Sequence, residues 1–346
     1  MRTVRECVVI RDLSPAYFAL VMATGIVSIA AKNVGLLVIS NGLFVVNIVA
    51  YPTLVVLTML RALCHPRRLF RDMVDHQRGP GFLTTVAATC ILGIESLLVK
   101  GSVDLAMGLL AVGVALWLGL TYTIFTAFTV KREKPPLERG ITGAWLIAVV
   151  ATQSIAVLSA LIARQWSQPY RLEFNFFALS MWSWGGMFYI WIISLIFYRY
   201  SFFAFSPTDL SPPYWINMGA MAISTMAGAR LIENAPDAPF LASLAPFLKG
   251  FTVLYWATAT WWIPMLVLLG VWRHLVRRFP LRYDPLYWGA VFPLGMYSAA
   301  SWQMTKSLDL PFLATTARLM FIPALAAWSL AFVGLLRQLL ITRRGG

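Results

Sequence analysis

Long apolar segments, separated by short polar or basic stretches, follow one another along the whole chain. A helix needs about 20 apolar residues to cross a hydrocarbon core of about 30 Å, and a helix satisfies its own backbone hydrogen bonds there. The pattern therefore predicts an all-α polytopic membrane protein with a single domain, 1–346. We expect ten transmembrane helices, at 14–31, 38–60, 82–99, 103–127, 141–163, 174–199, 212–231, 246–272, 285–304 and 312–337.

The ten segments alternate in character. Odd-numbered segments are rich in Gly, Ala, Ser and Thr, whereas even-numbered segments carry more bulky aliphatic residues. Small residues permit close helix packing, and bulky aliphatic side chains suit lipid. We therefore expect five helical hairpins, with the odd helices inside and the even helices outside. Ordinary helix–helix packing also produces seams of small residues, and that alternative stays open.

Three of the odd segments begin in the same way, with a proline followed by two aromatic residues. Proline suits the first helical turn, and aromatic residues suit the membrane interface. Repeats in a membrane protein commonly surround a transport path. The shared start therefore predicts a repeated architecture around such a path. The starts are Ser14-Pro15-Ala16-Tyr17-Phe18, Ser211-Pro212-Pro213-Tyr214-Trp215, Asp284-Pro285-Leu286-Tyr287-Trp288 and, in weaker form, Gly79-Pro80-Gly81-Phe82.

Charge is sparse and unevenly placed. Charged residues make up 12% of the chain, against about 25% in soluble domains. Of the 28 Lys and Arg residues, 20 fall on the side of the N-terminus and 6 on the other side of the predicted helices. By the positive-inside rule both termini are cytoplasmic, in a multi-pass protein of the cytoplasmic membrane. The net charge of +14 is thus mostly a topology signal, not evidence for nucleic-acid binding.

Motifs of enzyme chemistry are missing from the sequence. It has no phosphate-binding Gly-Lys-Ser/Thr loop, no Gly-x-Ser-x-Gly elbow and no His-Glu-x-x-His motif. The histidines, predicted in cytoplasmic loops or at helix ends, are expected to be solvated and show no metal-ligand spacing. The cysteines are scattered, so we expect no disulfide framework. We therefore predict a protein that is not an enzyme and has no cofactor or metal. The histidines are His65, His76 and His274, and the cysteines are Cys7, Cys64 and Cys90.

Hydroxyl-bearing and glycine residues on the odd segments are candidates for the wall of a pore. There is no ring of carboxylates at mid-membrane, as cation pores use, and no chain of Asp, Glu and His. A weakly polar path with basic mouths suits a small anion, because the basic cytoplasmic side raises the local anion concentration. The candidate lining residues are Thr24, Gly25, Ser28, Thr85, Thr89, Thr152, Ser224, Thr225, Gly295 and Ser298.

Three charged residues lie within the predicted spans: Glu95, Arg230 and Arg318. A charge there costs about 2.5–3.5 kcal/mol on insertion scales unless it is paired or hydrated. Glu95 and Arg318 fall at similar depth, where an ion pair and the lining of an outer vestibule are equally good interpretations. Arg230 lies near the outer end of its span, where it either snorkels or pairs with Glu233.

Pro293 is the most informative proline inside a span, because it cannot donate to the carbonyl of Gly289 and favours a kink. Phe292 immediately precedes it, about 10 Å into the membrane from Pro285. Hydrophobic constrictions gate some channels, so Phe292 and Pro293 are candidates for a pore gate. An ordinary core position for Phe292 is the alternative.

Five runs of residues, spread over nearly the whole chain, carry a resemblance to a known family. They are Ser14-Pro15-Ala16-Tyr17-Phe18 through Met22-Ala23-Thr24-Gly25-Ile26-Val27-Ser28, Trp215-Ile216-Asn217-Met218-Gly219-Ala220, Trp261-Trp262-Ile263-Pro264, Trp272-Arg273-His274, and Tyr287-Trp288 through Val291-Phe292-Pro293-Leu294-Gly295-Met296-Tyr297. These runs resemble the tellurite-resistance/dicarboxylate transporter family, which includes plant slow-type anion channels and fungal malate and sulfite transporters.

The resemblance implies five hairpins around a central pore in each protomer, usually a trimer, with a pore-blocking phenylalanine that maps onto Phe292. It implies transport of small anions such as chloride, nitrate, malate or sulfite, with membrane lipid and two further copies of the chain as partners. A proton-coupled C4-dicarboxylate or sulfite carrier is an alternative, with Glu95 the available intramembrane carboxylate. A non-transporting membrane scaffold or sensor is a further alternative.

Overall fold

The computed structural model describes residues 10–281 and 283–344, and within them the secondary structure is helical without a strand. Two kinds of long helix alternate along the chain, five of 15–20 residues and five of 27–33 residues. They are α1 (Ala19–Asn33), α2 (Leu37–Cys64), α3 (Thr84–Lys100), α4 (Val103–Val130), α5 (Ile147–Ala163), α6 (Tyr170–Phe202), α7 (Ile216–Asn234), α8 (Ala245–Val271), α9 (Trp288–Ser307) and α10 (Leu313–Arg344). Three helices of four to eight residues lie in the connections, at Pro66–Met73, Leu137–Gly140 and Pro239–Ser243.

A 3₁₀ turn precedes every one of the shorter helices. The side chains of Ser14 and Asp284 accept hydrogen bonds from the second following backbone N–H and so cap two of these turns. The start before α5 contains no proline, so the sequence motif did not identify it. The turns are Pro15–Phe18, Gly79–Leu83, Gly143–Leu146, Pro212–Trp215 and Pro285–Tyr287.

The five shorter helices form a closed ring. Each contacts the next in the order α1, α3, α5, α7, α9 and back to α1, and the five 3₁₀ turns contact one another in the same order. The starts of the helices therefore lie at one end of the ring. We call α1, α3, α5, α7 and α9 the inner helices and the longer helices the outer helices.

Burial separates the inner from the outer helices. In the most apolar windows of α1, α3 and α5, 83–100% of the residues are buried, against 17–39% in the five outer helices. Almost all residues of α7 and α9 are buried as well. Each outer helix packs against the inner helix that precedes it in the chain. Small residues thus line the ring contacts, as the alternation of the sequence indicated, and the bulky aliphatic residues face outward.

One aromatic side chain from each outer helix hydrogen-bonds to the inner helix that follows it. The last of these bonds runs from α10 back to α1 and closes the circle. Four of these side chains are tryptophans, whose indole N–H donates, and one is a tyrosine, whose hydroxyl pairs with a threonine hydroxyl; the distances are 2.8–2.9 Å. We call this set the aromatic belt: Tyr51 with Thr89, Trp117 with Thr152, Trp182 with the carbonyl of Ser224, Trp256 with Ser301, and Trp328 with Thr24.

Eight of the long helices are apolar and long enough to cross a membrane, so the chain is a multi-pass membrane protein. The two others are α7 and α9, which are buried in the ring and carry more polar residues. Ten membrane crossings and cytoplasmic termini stay predictions. Four residues that entered the charge and cysteine predictions, Arg2, Arg5, Cys7 and Arg282, lie outside the described residues.

His76 is buried, so the expectation of a solvated loop histidine is wrong at this position. Its ring stacks on Phe128 with 4.2 Å between the ring centroids, and its carbonyl accepts a hydrogen bond from Trp145. Burial lowers the pKa of the imidazole, which favours the neutral ring in this apolar contact. The residue belongs to the packing of the loop and not to a solvated surface.

Candidate transport path and gate

A cavity of about 450 Å³ opens at the end of the ring where the inner helices begin. All five inner helices and all five 3₁₀ turns supply its wall. The helix residues on the wall are apolar apart from Thr84 at the start of α3. We call this cavity the vestibule; the helix residues on its wall are Ala19, Met22, Thr84, Ile147, Val150, Ile216, Gly289 and Phe292.

Phe292 lies at the inner end of the vestibule wall and is 1% exposed. It follows the turn of α9 that begins at Trp288, and α9 continues as a helix through Pro293. The proline ring faces Gly219 of α7: a Cβ added to Gly219 would meet Cγ of Pro293 at 2.7 Å. The contact between Gly219 and Pro293 therefore fixes the start of α9 against α7, and with it the position of the Phe292 ring.

Beyond Phe292 the space enclosed by the inner helices is almost closed. One helical turn further along α9, Met296 lines a space of only about 10 Å³, too small for more than about one water molecule. Residues of all five inner helices line this space as well, so it lies on the same axis as the vestibule. We call it the narrow segment; its wall is Ile26, Ile29, Ile91, Ile94, Leu98, Val157, Leu161, Met226, Met296 and Arg230.

Both signs of charge occur at the mouth of the vestibule. Asp12, Asp284 and Arg78 lie on its wall, together with Gln77 and Ser14. Arg78 donates to Asp72 at 2.9 Å, and the hydrogen bond from Arg11 lowers the pKa of the Asp12 carboxyl. The mouth is therefore not simply basic, because Arg78 is paired with Asp72 and the carboxyl groups of Asp12 and Asp284 lie on the same wall.

The ten candidate lining residues lie elsewhere than on the walls of the vestibule and the narrow segment. The hydroxyls of three of them bond to the aromatic belt, and two donate to backbone carbonyls of outer helices, Ser28 to Ser40 and Ser298 to Ala317. Three donate to the carbonyl three or four residues earlier in their own chain segment. The two glycines provide room for neighbouring helices. The three hydroxyls at the aromatic belt are those of Thr24, Thr89 and Thr152. The three that donate within their own chain segment are those of Thr85, Ser224 and Thr225, and the two glycines are Gly25 and Gly295.

Because the Thr24 hydroxyl is an acceptor in the aromatic belt, we expect Thr24→Val to change stability and not permeation. The substitution leaves the Trp328 indole without its acceptor, and interhelical hydrogen bonds in membranes contribute about 0.6–1.7 kcal/mol. Thermal unfolding in detergent and anion flux in liposomes measure the two effects. Thr225→Val is the matched control, since Thr225 donates only within its own helix. A change in anion selectivity with Thr24→Val would return Thr24 to the pore wall.

The three intramembrane charges have separate surroundings. Glu95 is fully buried on the outer side of α3, where its Oε2 accepts from Asn47 of α2 at 2.8 Å. Arg318 is exposed on α10, with its guanidinium 5.9 Å from the ring centroid of Trp302. Among the described residues no ion pair joins Glu95 and Arg318. Arg230 pairs with Glu233 at 3.0 Å, one of the two interpretations considered for it.

Sequence reasoning identified Phe292 but missed the apolar side chains around it. Those of the narrow segment recur with helical spacing, as at 26 and 29, 91, 94 and 98, and 157 and 161. This spacing marks one face of each inner helix, and the hydroxyls lie on other faces. The signal was present in the sequence, but helices that are buried all round do not reveal which face meets the axis.

Comparison with known proteins adds a family. The chain matches the family model described as voltage-dependent anion channel (SLAC1) over residues 12–336. An uncharacterized membrane protein of Mycobacterium tuberculosis strain H37Rv is 39% identical over 154 residues, 44% of this chain and 78% of that protein. An uncharacterized transporter of Methanocaldococcus jannaschii is 26% identical over 301 residues, 84% of each chain. The sulfite efflux pump SSU1 of Trichophyton rubrum is 23% identical over 347 residues, 94% of this chain and 91% of that protein.

Proposed function

We propose that this chain, which belongs to the SLAC1 family of voltage-dependent anion channels, conducts small anions along the axis of its ring, with Phe292 as the gate. The observation that carries the proposal is the pair of coaxial spaces within the ring of inner helices. An open vestibule ends at Phe292, and a closed narrow segment begins one turn beyond it. Removing the aromatic side chain of Phe292 is the smallest change that would connect the vestibule to the narrow segment.

The chemistry of the axis supports an anion as the permeant species. The wall of the narrow segment carries one charged side chain, the cation Arg230, and otherwise apolar residues. A cation would meet no carboxylate there to replace its hydration shell, whereas an anion would meet a guanidinium. An apolar wall also favours ions that lose their water at low cost, so we propose weakly hydrated monovalent anions as the best substrates.

The proposal includes the finer architecture that the sequence predicts. All ten long helices cross the membrane as five hairpins, both termini are cytoplasmic, and the chain forms a homotrimer in the cytoplasmic membrane with one conduit in each protomer. Membership of the family and an efflux pump among the relatives support a route through each chain. The name of that relative makes sulfite one of the anions to test.

Flux through purified protein in liposomes tests the proposed function. We expect a current or an anion exchange with chloride, nitrate or sulfite that ceases when the anion is replaced by gluconate. Empty liposomes and liposomes with an unrelated membrane protein are the controls. Absence of flux for every anion, with and without an applied voltage, would favour the membrane scaffold or sensor instead.

Glu95→Gln distinguishes a channel from a proton-coupled carrier. Glutamine keeps an oxygen acceptor for Asn47, and Glu95 lies off the two spaces on the axis, so we expect conductance and its pH dependence to be unchanged. Flux of chloride and of malate across a range of pH measures both. Loss of a pH-driven, saturable malate uptake with Glu95→Gln would support the C4-dicarboxylate carrier and contradict the channel.

A further inference from the structure

Arg230 is the one charged residue among those that line the narrow segment. It lies in the last two turns of α7, toward the end of the ring opposite the vestibule. Its side chain is 13% exposed. An anion that passed Phe292 and the apolar wall would therefore reach this guanidinium before leaving the ring.

The guanidinium of Arg230 is only partly satisfied. Its Nη1 donates to Oε2 of Glu233 at 3.0 Å, while its buried Nε finds no acceptor among the described residues. A guanidinium has five N–H donors, and a buried donor without an acceptor is costly. An ion pair built only for stability would use these donors within the protein. Here the Nε–H of a residue that lines the narrow segment has no acceptor among the described residues.

Glu233 itself accepts from donors on two inner helices, α7 and α9, and from the residue that follows a third, α5. Its Oε2 also accepts from Nη1 of Arg164, the residue after α5, at 3.2 Å. Its Oε1 accepts from the amide of Gln303 on α9. One carboxylate thus occupies the donors that converge at this end of α5, α7 and α9. Two guanidiniums against one carboxylate leave this group of side chains with a net positive charge.

We propose that Arg230 binds the permeating anion at the far end of the conduit, and that Glu233 is a tethered anion that occupies the site when the conduit is empty. The inference rests on the proposed function. A carboxylate and a small oxyanion or halide accept the same N–H bonds, so an arriving anion competes with Glu233 for Arg230. Competition of this kind keeps binding weak enough for the anion to leave again.

Nitrate is the probe, and two measurements follow its binding. One is the thermal stabilisation of the detergent-purified protein by sodium nitrate, relative to sodium gluconate. The other is the half-saturating nitrate concentration for flux in a Phe292→Ala background, which opens the conduit. Glu233→Gln should lower that concentration about three- to tenfold, and Arg230→Gln should raise it by at least as much. Arg230→Lys keeps the charge but lacks the planar fork of N–H donors, so its half-saturating concentration should lie between those of the Phe292→Ala background and Arg230→Gln.

A control at the same end of α7 separates site chemistry from surface charge. Asp237→Asn removes a carboxylate that pairs with Arg171 at 3.6 Å, is 64% exposed and does not line the narrow segment. We expect it to leave the half-saturating concentration unchanged. If Glu233→Gln does not fold, the two Arg230 variants decide the binding role of Arg230, and Glu233→Asp, whose shorter side chain weakens the pair with Arg230, tests the tethered anion in its place by the same lowered half-saturating concentration.

The outcomes separate this inference from the proposed function. Nitrate flux in Phe292→Ala that saturates identically with and without the Arg230 substitutions would overturn the binding role of Arg230. An effect of Arg230→Gln without the opposite effect of a folded Glu233→Gln would overturn the tethered anion. Absence of nitrate flux in Phe292→Ala, despite a folded protein, would instead overturn the proposed function.

Discussion

Phe292→Ala is expected to raise anion conductance at least about tenfold over the wild-type protein, which corresponds to about 1.4 kcal/mol off the barrier. The Phe292 side chain is 1% exposed and lines the vestibule of about 450 Å³, and Met296, one helical turn further along α9, lines the segment of about 10 Å³. Truncation to alanine removes the aromatic ring and joins the two spaces. Recordings in planar bilayers with sodium chloride on both sides measure the change.

The matched control for this substitution is Phe44→Ala. Phe44 is also buried, but it belongs to a separate small cluster between α2, α3 and α4, away from the axis. Its truncation removes the same atoms and creates a cavity without opening the path, so conductance should stay at the wild-type level. Equal currents in the two variants would mean that the increase reflects loosened packing and not a gate.

Gly219→Ala should destabilise the protein by about 1–3 kcal/mol, the usual cost of overpacking. The added Cβ would lie 2.7 Å from Cγ, 3.0 Å from Cβ and 3.1 Å from Cα of Pro293. These atoms belong to a rigid ring and to the backbone, so no side-chain rotation relieves the overlap. Either α7 or the start of α9 has to move. Thermal unfolding of the purified variant in detergent measures the loss.

Gly289→Ala is the comparison for this effect. Gly289 lies on α9, one turn before Pro293. A Cβ added to Gly289 would meet its nearest neighbour, Cα of Pro213, at an ordinary 3.6 Å. We therefore expect little change in stability. Because Phe292 adjoins Pro293, Gly219→Ala should also alter the resting conductance, whereas unchanged unfolding and conductance would show that the contact does not fix the gate.

The general architecture could be predicted from the sequence because hydrophobic length and small-residue content are local properties. The apolar segments, the small residues of the inner helices and the repeated start at Pro15, Pro212 and Pro285 all have direct counterparts in the structure. The fifth start, Gly143–Leu146, was missed because its 3₁₀ turn forms without a proline. What persists in the structure is the turn, and proline is only one way to favour it.

The wall of the path could not be predicted as well, because it depends on rotation of each inner helix about its axis. Thr24 and Thr152 have the composition of a polar lining, yet both hydroxyls face tryptophans of outer helices. In a membrane an indole N–H needs an acceptor within the protein. The orientation of α1 and α5 that meets this need directs the two hydroxyls toward the outer helices. Phe292 was identified from the family resemblance together with the proline beside it, not from hydropathy.

Cysteine accessibility on either side of Phe292 tests the central claim, a conduit on the ring axis that this residue closes, most directly. In a variant without the native cysteines, Met22→Cys lies on the vestibule wall and Met296→Cys in the narrow segment. A membrane-impermeant methanethiosulfonate should modify Met22→Cys in every background, and Met296→Cys only together with Phe292→Ala. Modification of Met296→Cys at the same rate with Phe292 in place, or protection of Met22→Cys in all backgrounds, would contradict the account.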